Sequence, residues 1–147
     1  MAVVGAERKI TAELETWEGV VSAPHRFGGV EYRLGTREIG HIHGDHLVDI
    51  PFPTRVREAV VASGRASPHH LLPESGWVSF YLREAGDVAR AIELLREAYE
   101  LARRQRARRR RCRHRPRRAL RRPRERPPRP RDRRYPRRDV ARAHSRE

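Results

Sequence analysis

The chain has 147 residues, with 34 Lys or Arg against 19 Asp or Glu, one cysteine and a net charge of +15. One cysteine, Cys112, excludes an intrachain disulfide framework, so nothing points to an oxidising compartment. No stretch approaches the roughly 20 apolar residues that span a bilayer, and the N-terminus has no signal-peptide pattern, so a cytoplasmic protein with no membrane partner is expected.

The charge is unevenly placed. Residues 1–102 hold eleven Lys or Arg and fifteen acids, whereas residues 103–147 hold twenty-three Arg, no Lys and four acids. The expected organisation is one α+β domain over 1–102 and a disordered Arg/Pro-rich tail over 103–147, which cannot bury enough surface to fold alone. Its arginines would bind nucleic acid only nonspecifically, through phosphate charge. The absence of lysine reads as a dispensable extension.

In chain order, Ile10, Leu14 and Trp17 recur at helical spacing and predict an amphipathic helix over 6–17, ended by Gly19. Val20-Val21 opens a short strand that ends at Pro24. Gly28-Gly29 is a turn signal. Val30, Tyr32 and Leu34 then alternate with Glu31 and Arg33 as a half-buried strand. After Gly35-Thr36, residues 37–43 and 46–52 predict a hairpin closed by the pair Gly44-Asp45.

In that register His43 stands directly opposite His46, and His41, Ile39, Val48 and Ile50 share their face. Gly40, Ile42, Leu47 and Asp49 fall on the other face. A one-residue slip would reverse part of this assignment.

Pro51 and Pro53 end the sheet run. Thr54 caps a helix through Ser63, with Gly64 past its end. Residues 65–76 form a loop that carries His69 and His70, and a loop of about a dozen residues is often functional. Residues 77–82 alternate as a strand, with Trp77, Ser79 and Tyr81 on one face. Asp87 opens a last helix, with Val88, Ile92, Leu95, Tyr99 and Ala102 on its buried stripe. The fold class is α+β: an antiparallel sheet with a central hairpin and helices on one face.

Histidine clustering is the chemical signal. His41, His43 and His46 on one hairpin face offer either metal ligands or a base and hydrogen-bond set for a small molecule with an acidic hydroxyl. His69 and His70 can converge on the same pocket. Asp45 and Asp49 are candidates to orient an imidazole, and the register makes Asp49 structural. Trp77 and Tyr81 offer an aromatic wall for a flat ligand, against which simple core packing competes. Whether a metal is needed stays open. No GxGxxG, Walker, HExxH, CxxC or serine-elbow pattern occurs, so common nucleotide-dependent and serine-hydrolase chemistries have no motif support.

The run Arg37-Glu-Ile-Gly-His-Ile-His-Gly-Asp-His46, followed by His69-His70, Gly76-Trp77-Val-Ser-Phe-Tyr81 and a final helix, resembles the luciferase-domain family named for the fungal luciferases. The resemblance covers about residues 17–100. It implies an oxygenase-like enzyme on phenol or enol substrates, since the fungal members add molecular oxygen to a hydroxylated pyrone and emit light as the peroxide decays. It carries over His41, His43, His46, one of His69 or His70, and Trp77 as pocket residues, in the roles of base, hydrogen-bond donors and aromatic wall. The chain is shorter than those enzymes and lacks their membrane-anchoring N-terminal region, so light emission is not expected. A fainter similarity to the small YjbR-like α+β domains implies a shared fold and no shared function. The reading outside enzymology is a non-catalytic module that binds a ligand or a metal.

Overall fold

The alternation of apolar and polar residues from Val20 to Tyr81 builds a sheet with two unlike faces. A computed structural model describes residues 2–113, which lie within one unit, Met1–Arg115; a second unit, Pro116–Glu147, lies outside the described residues. The elements are α1 (Ala6–Leu14), β1 (Val20–Pro24), β2 (Val30–Leu34), β3 (Arg37–His43), β4 (Leu47–Pro51), α2 (Thr54–Ala62), β5 (Ser67–Pro68), β6 (Trp77–Tyr81) and α3 (Asp87–Arg113). The six strands form one antiparallel sheet in the order β1-β2-β3-β4-β6-β5. This is the expected α+β class with the hairpin at its centre.

Tyr32, Ile42, Val48, Ile50, Val78 and Phe80 point to one face and are buried there with Ile10, Leu14, Leu94 and Leu95 from α1 and α3. Val60 of α2 joins the same cluster. The helix packs so close to the sheet at Gly40 that a Cβ there would stand 2.6 Å from the Leu95 side chain. Tyr99 fastens α3 to the end of α1: its hydroxyl donates to the Glu18 carbonyl at 2.9 Å, and its ring lies 5.2 Å from Trp17.

The hairpin register differs from the expected one. His41 pairs with Asp49, Ile42 with Val48 and His43 with Leu47, so the turn is Gly44-Asp45-His46, one residue longer than predicted. Asp49 therefore shares the face of His41 and His43, while Val48 and Ile50 turn to the helices. The extra residue has a physical reason. Asp45 is committed to α1, whose cap residue Gly5 has no capping side chain. The Asp45 carboxylate accepts from Gly5 N–H at 2.8 Å and Glu7 N–H at 2.9 Å, replacing a local cap from forty residues away. Asp45 is thus a helix cap and not an orienting partner of the site histidines.

Three smaller differences follow local chemistry. Helix α1 ends at Leu14, and Trp17 lies beyond it, donating its ring N–H to Glu13 at 3.0 Å. The 65–76 loop contains β5, which pairs with β6. Helix α3 runs through Arg113, past the expected boundary at 102, because arginine favours helix and no proline intervenes before Pro116. The predicted tail from residue 114 onward lies outside the described residues. Among the described residues, no helix is long and apolar enough to cross a membrane.

Candidate functional site

The sheet face turned away from the helices carries Glu31 and Arg33 from β2, His41 and His43 from β3, Asp49 from β4, and Trp77 and Ser79 from β6. Two loops wall it. The β1–β2 turn brings His25, Arg26 and Phe27, and the segment after β5 brings His69, His70, Leu71 and Leu72. Together they enclose a cavity of about 480 Å³. The first wall depends on Gly29, which has φ +82°. A Cβ at this position would stand 1.8 Å from the Ile42 carbonyl oxygen, so only glycine lets the turn descend onto β3.

A β-bulge supplies a further acid. Tyr32 pairs with Gly40 but Arg33 pairs with Glu38, which leaves Ile39 as the extra residue. Glu38 and His41, three apart, would otherwise face opposite ways. The bulge puts them on one face, with Glu38 Oε1 2.6 Å from His41 Nδ1.

Asp49 is the centre of the set and is fully buried. Its Oδ1 accepts the Ser79 hydroxyl at 2.5 Å. Its Oδ2 lies 3.3 Å from His43 Nε2, 3.5 Å from His41 Nε2 and 3.6 Å from His69 Nε2, and it accepts no hydrogen bond. Ring contacts join the rest. His25 stacks on His41 with centroids 4.0 Å apart, His43 stands edge-on to His41 at 4.9 Å, Trp77 lies 5.2 Å from His41, and His69 stacks on His70 at 4.6 Å.

The hydrogen bonds assign two tautomers. Ser79 gives its proton to a carboxylate, which only accepts, so its oxygen receives both the His70 N–H and His70 Nδ1, each at 3.1 Å. His70 therefore carries a hydrogen on Nδ1. His69 is the reverse. Its Nδ1 accepts the N–H groups of Leu71 and Leu72 at 3.2 and 3.1 Å, so its hydrogen sits on Nε2 and faces Asp49.

Burial pulls the His41 pKa down, but the carboxylates of Asp49 and Glu38 outweigh it and raise it to about 9. Burial pushes Asp49 and Glu38 up, and His41 outweighs it in both, with Ser79 assisting at Asp49, so both acids stay below the ordinary carboxylate range. Burial, joined by the His41 charge, lowers His43. Burial likewise lowers His69. The floor thus sets the His41 imidazole between two carboxylates that raise its pKa, beside His43 and His69, whose pKa values burial lowers.

Of the sequence candidates, His41, His43, His69, His70 and Trp77 line the cavity. His46 does not: it sits in the hairpin turn, exposed. Tyr81 is on the Trp77 face but beyond the cavity, 39% exposed, with the Arg83 guanidinium over its ring at 5.8 Å. Sequence reasoning missed His25 and Glu38 and set Asp49 aside. The bulge hid Glu38 and the turn length hid Asp49. His25 carried the one usable signal, standing three residues before a Gly-Gly turn that folds back on the hairpin.

An antiparallel α+β sandwich with a histidine–carboxylate pocket on its open face is the class that this geometry defines. The model of the Luciferase domain family matches residues 36–98, from the start of β3 into α3. No curated protein and no solved structure matches the chain. The match includes His41, His43, Asp49, His69, His70 and Trp77, while His25 comes from outside it.

Proposed function

We propose that the domain is an oxygenase-like small-molecule enzyme that binds a flat phenol or enol and adds molecular oxygen to it. The observation that carries this reading is the chain Asp49–Ser79–His70, which fixes a hydrogen on His70 Nδ1 and leaves Nε2 to act as the base, in the wall of an aromatic-lined cavity. The chain holds the imidazole in the tautomer that a base needs. The cavity suits a ring of this kind. Trp77 offers a stacking face, and Phe27, Leu71 and Leu72 are 71%, 73% and 59% exposed around the cavity, where they give apolar surface to a ligand.

The chemistry balances without an outside reductant. The ring hydroxyl gives its proton to His70 Nε2. The electron-rich carbon of the resulting enolate forms a C–O bond to oxygen and keeps its hydrogen, the ring oxygen becomes a carbonyl, and His70 Nε2 returns its proton to the peroxide anion. One ring and one oxygen molecule give one hydroperoxide. The positive floor at His41 lowers the energy of the enolate. Light emission forms no part of the reading.

Oxygen uptake by the purified protein with hydroxypyrones and simple phenols tests it. Wild type should consume oxygen in step with loss of the ring absorption, and His70→Ala should slow turnover about 100-fold or more with the fold intact. Undiminished uptake in His70→Ala rejects the assignment of the base. A stoichiometric complex without oxygen consumption makes the domain a ligand-binding module.

A further inference from the structure

We propose that the cavity floor is a site for one divalent first-row transition-metal ion, held by His41 Nε2, His43 Nε2 and Asp49 Oδ2, with its other positions open to the cavity. An unpaired oxygen on a fully buried carboxylate is costly, and Asp49 Oδ2 is such an atom. His43 Nε2 and His41 Nε2 stand 3.3 and 3.5 Å from it. A charge-assisted N–H···O bond would be about 2.7–2.9 Å, so these are not hydrogen bonds. They correspond to another geometry. Ligand atoms each about 2.1 Å from a common ion are separated by about 3.0 Å at a right angle and about 3.4 Å at the tetrahedral angle.

The surroundings agree. Oδ1 is held by Ser79, so the carboxylate would bind through the oxygen that has no other partner. His41 places Nδ1 against Glu38, the carboxylate–histidine pairing that aims the opposite nitrogen at an ion. A second observation is independent of Asp49. One ligating nitrogen from each of His25, His41 and His43 lies within 4.8 Å of the other two, and His25 Nδ1 is buried with no hydrogen-bond partner. A third imidazole is therefore close to the other two. His69 does not belong to the set, because its bound hydrogen occupies Nε2.

Two imidazoles and one carboxylate with open positions suit a first-row transition ion, whereas magnesium and calcium prefer oxygen alone. An ion here would replace the charge of the His41 proton in neutralising Asp49. This inference stands on ligand geometry and not on the ring-oxidation reading. Were both to hold, the ion would supply the positive charge beside the enolate.

Chelator-stripped full-length protein is titrated with Co(II), followed by visible absorption and calorimetry, without any organic substrate. One ion per chain is expected, with ligand-field bands that Zn(II) abolishes. His43→Gln and Asp49→Asn should each weaken affinity at least 10-fold, and His46→Gln should leave it unchanged. His43 is 22% exposed at its side chain, so its variant folds even if Asp49→Asn does not, as far-ultraviolet circular dichroism would check. Absence of saturable binding to wild type, or equal affinity in wild type and His43→Gln, overturns the site. Because no turnover is read, a failed oxygen-uptake assay would count against ring oxidation alone.

Discussion

The two faces of the sheet are built from the same strands and obey opposite rules. On the helix side, Tyr32, Ile42, Val48, Ile50 and Val78 are fully buried under α1 and α3. On the other side, Asp49 is just as buried, yet no helix covers it; imidazoles and two loops do. One face buries mainly apolar side chains. The other encloses a carboxylate and leaves one of its oxygens unpaired. The difference teaches where stability and chemistry are separated in so small a domain: period-2 alternation assigns packing to one side and reactive groups to the other.

That separation can be broken first on the packed face. Ile42→Ala should lower stability by about 2–5 kcal/mol in urea unfolding, because it leaves a cavity under α3. Ion binding per folded molecule should survive.

The wall between the faces is the next target. Gly29→Ala sets a methyl group against the Ile42 carbonyl at a left-handed backbone position. The β1–β2 turn should lift and carry His25 and Phe27 away from the cavity. A drop in affinity for flat ligands or Co(II) that exceeds any loss in melting temperature would show this.

Substitution on the reactive face should invert the pattern. His43→Gln should shift stability by no more than about 1 kcal/mol, since a partly exposed polar site outside the packed face contributes little, while Co(II) affinity falls at least 10-fold.

A smaller effect concerns pH and lies away from both faces. Asp87, the first residue of α3, holds the segment before the helix, accepting from the N–H groups of Arg83 and Glu84 at 2.7 and 2.9 Å. Burial pushes its carboxyl up, but those bonds and Arg90 outweigh it and hold it below its ordinary value. The sign is that of a depressed acid: its contribution is complete above the unfolded pKa and disappears as pH falls through the folded one. Melting temperature should therefore fall more steeply below about pH 4 in wild type than in Asp87→Asn. The smallest effect is expected at His46, where substitution by Gln should alter neither stability nor ion binding.

Much of this was legible locally. Alternation at Val30–Leu34 and Trp77–Tyr81 marked strands, and the run from His41 to His43 marked a reactive face, because side-chain direction along a strand depends only on parity. Helical spacing at Ile10, Leu14, Ile92, Leu95 and Tyr99 marked the packed helices for a similar reason. Which residues completed the site was not legible. Asp49 joined His41 and His43 because the turn gained a residue, and that residue was set by Asp45 reaching across to cap α1. Glu38 joined because Ile39 bulged. His25 joined because Gly29 let a distant turn touch β3. The sequence by itself determined the elements and the family resemblance, since these rest on neighbours in the chain. Only the tertiary structure decided the register and the site, because one residue of slip between strands costs nothing locally and reverses every side chain that follows.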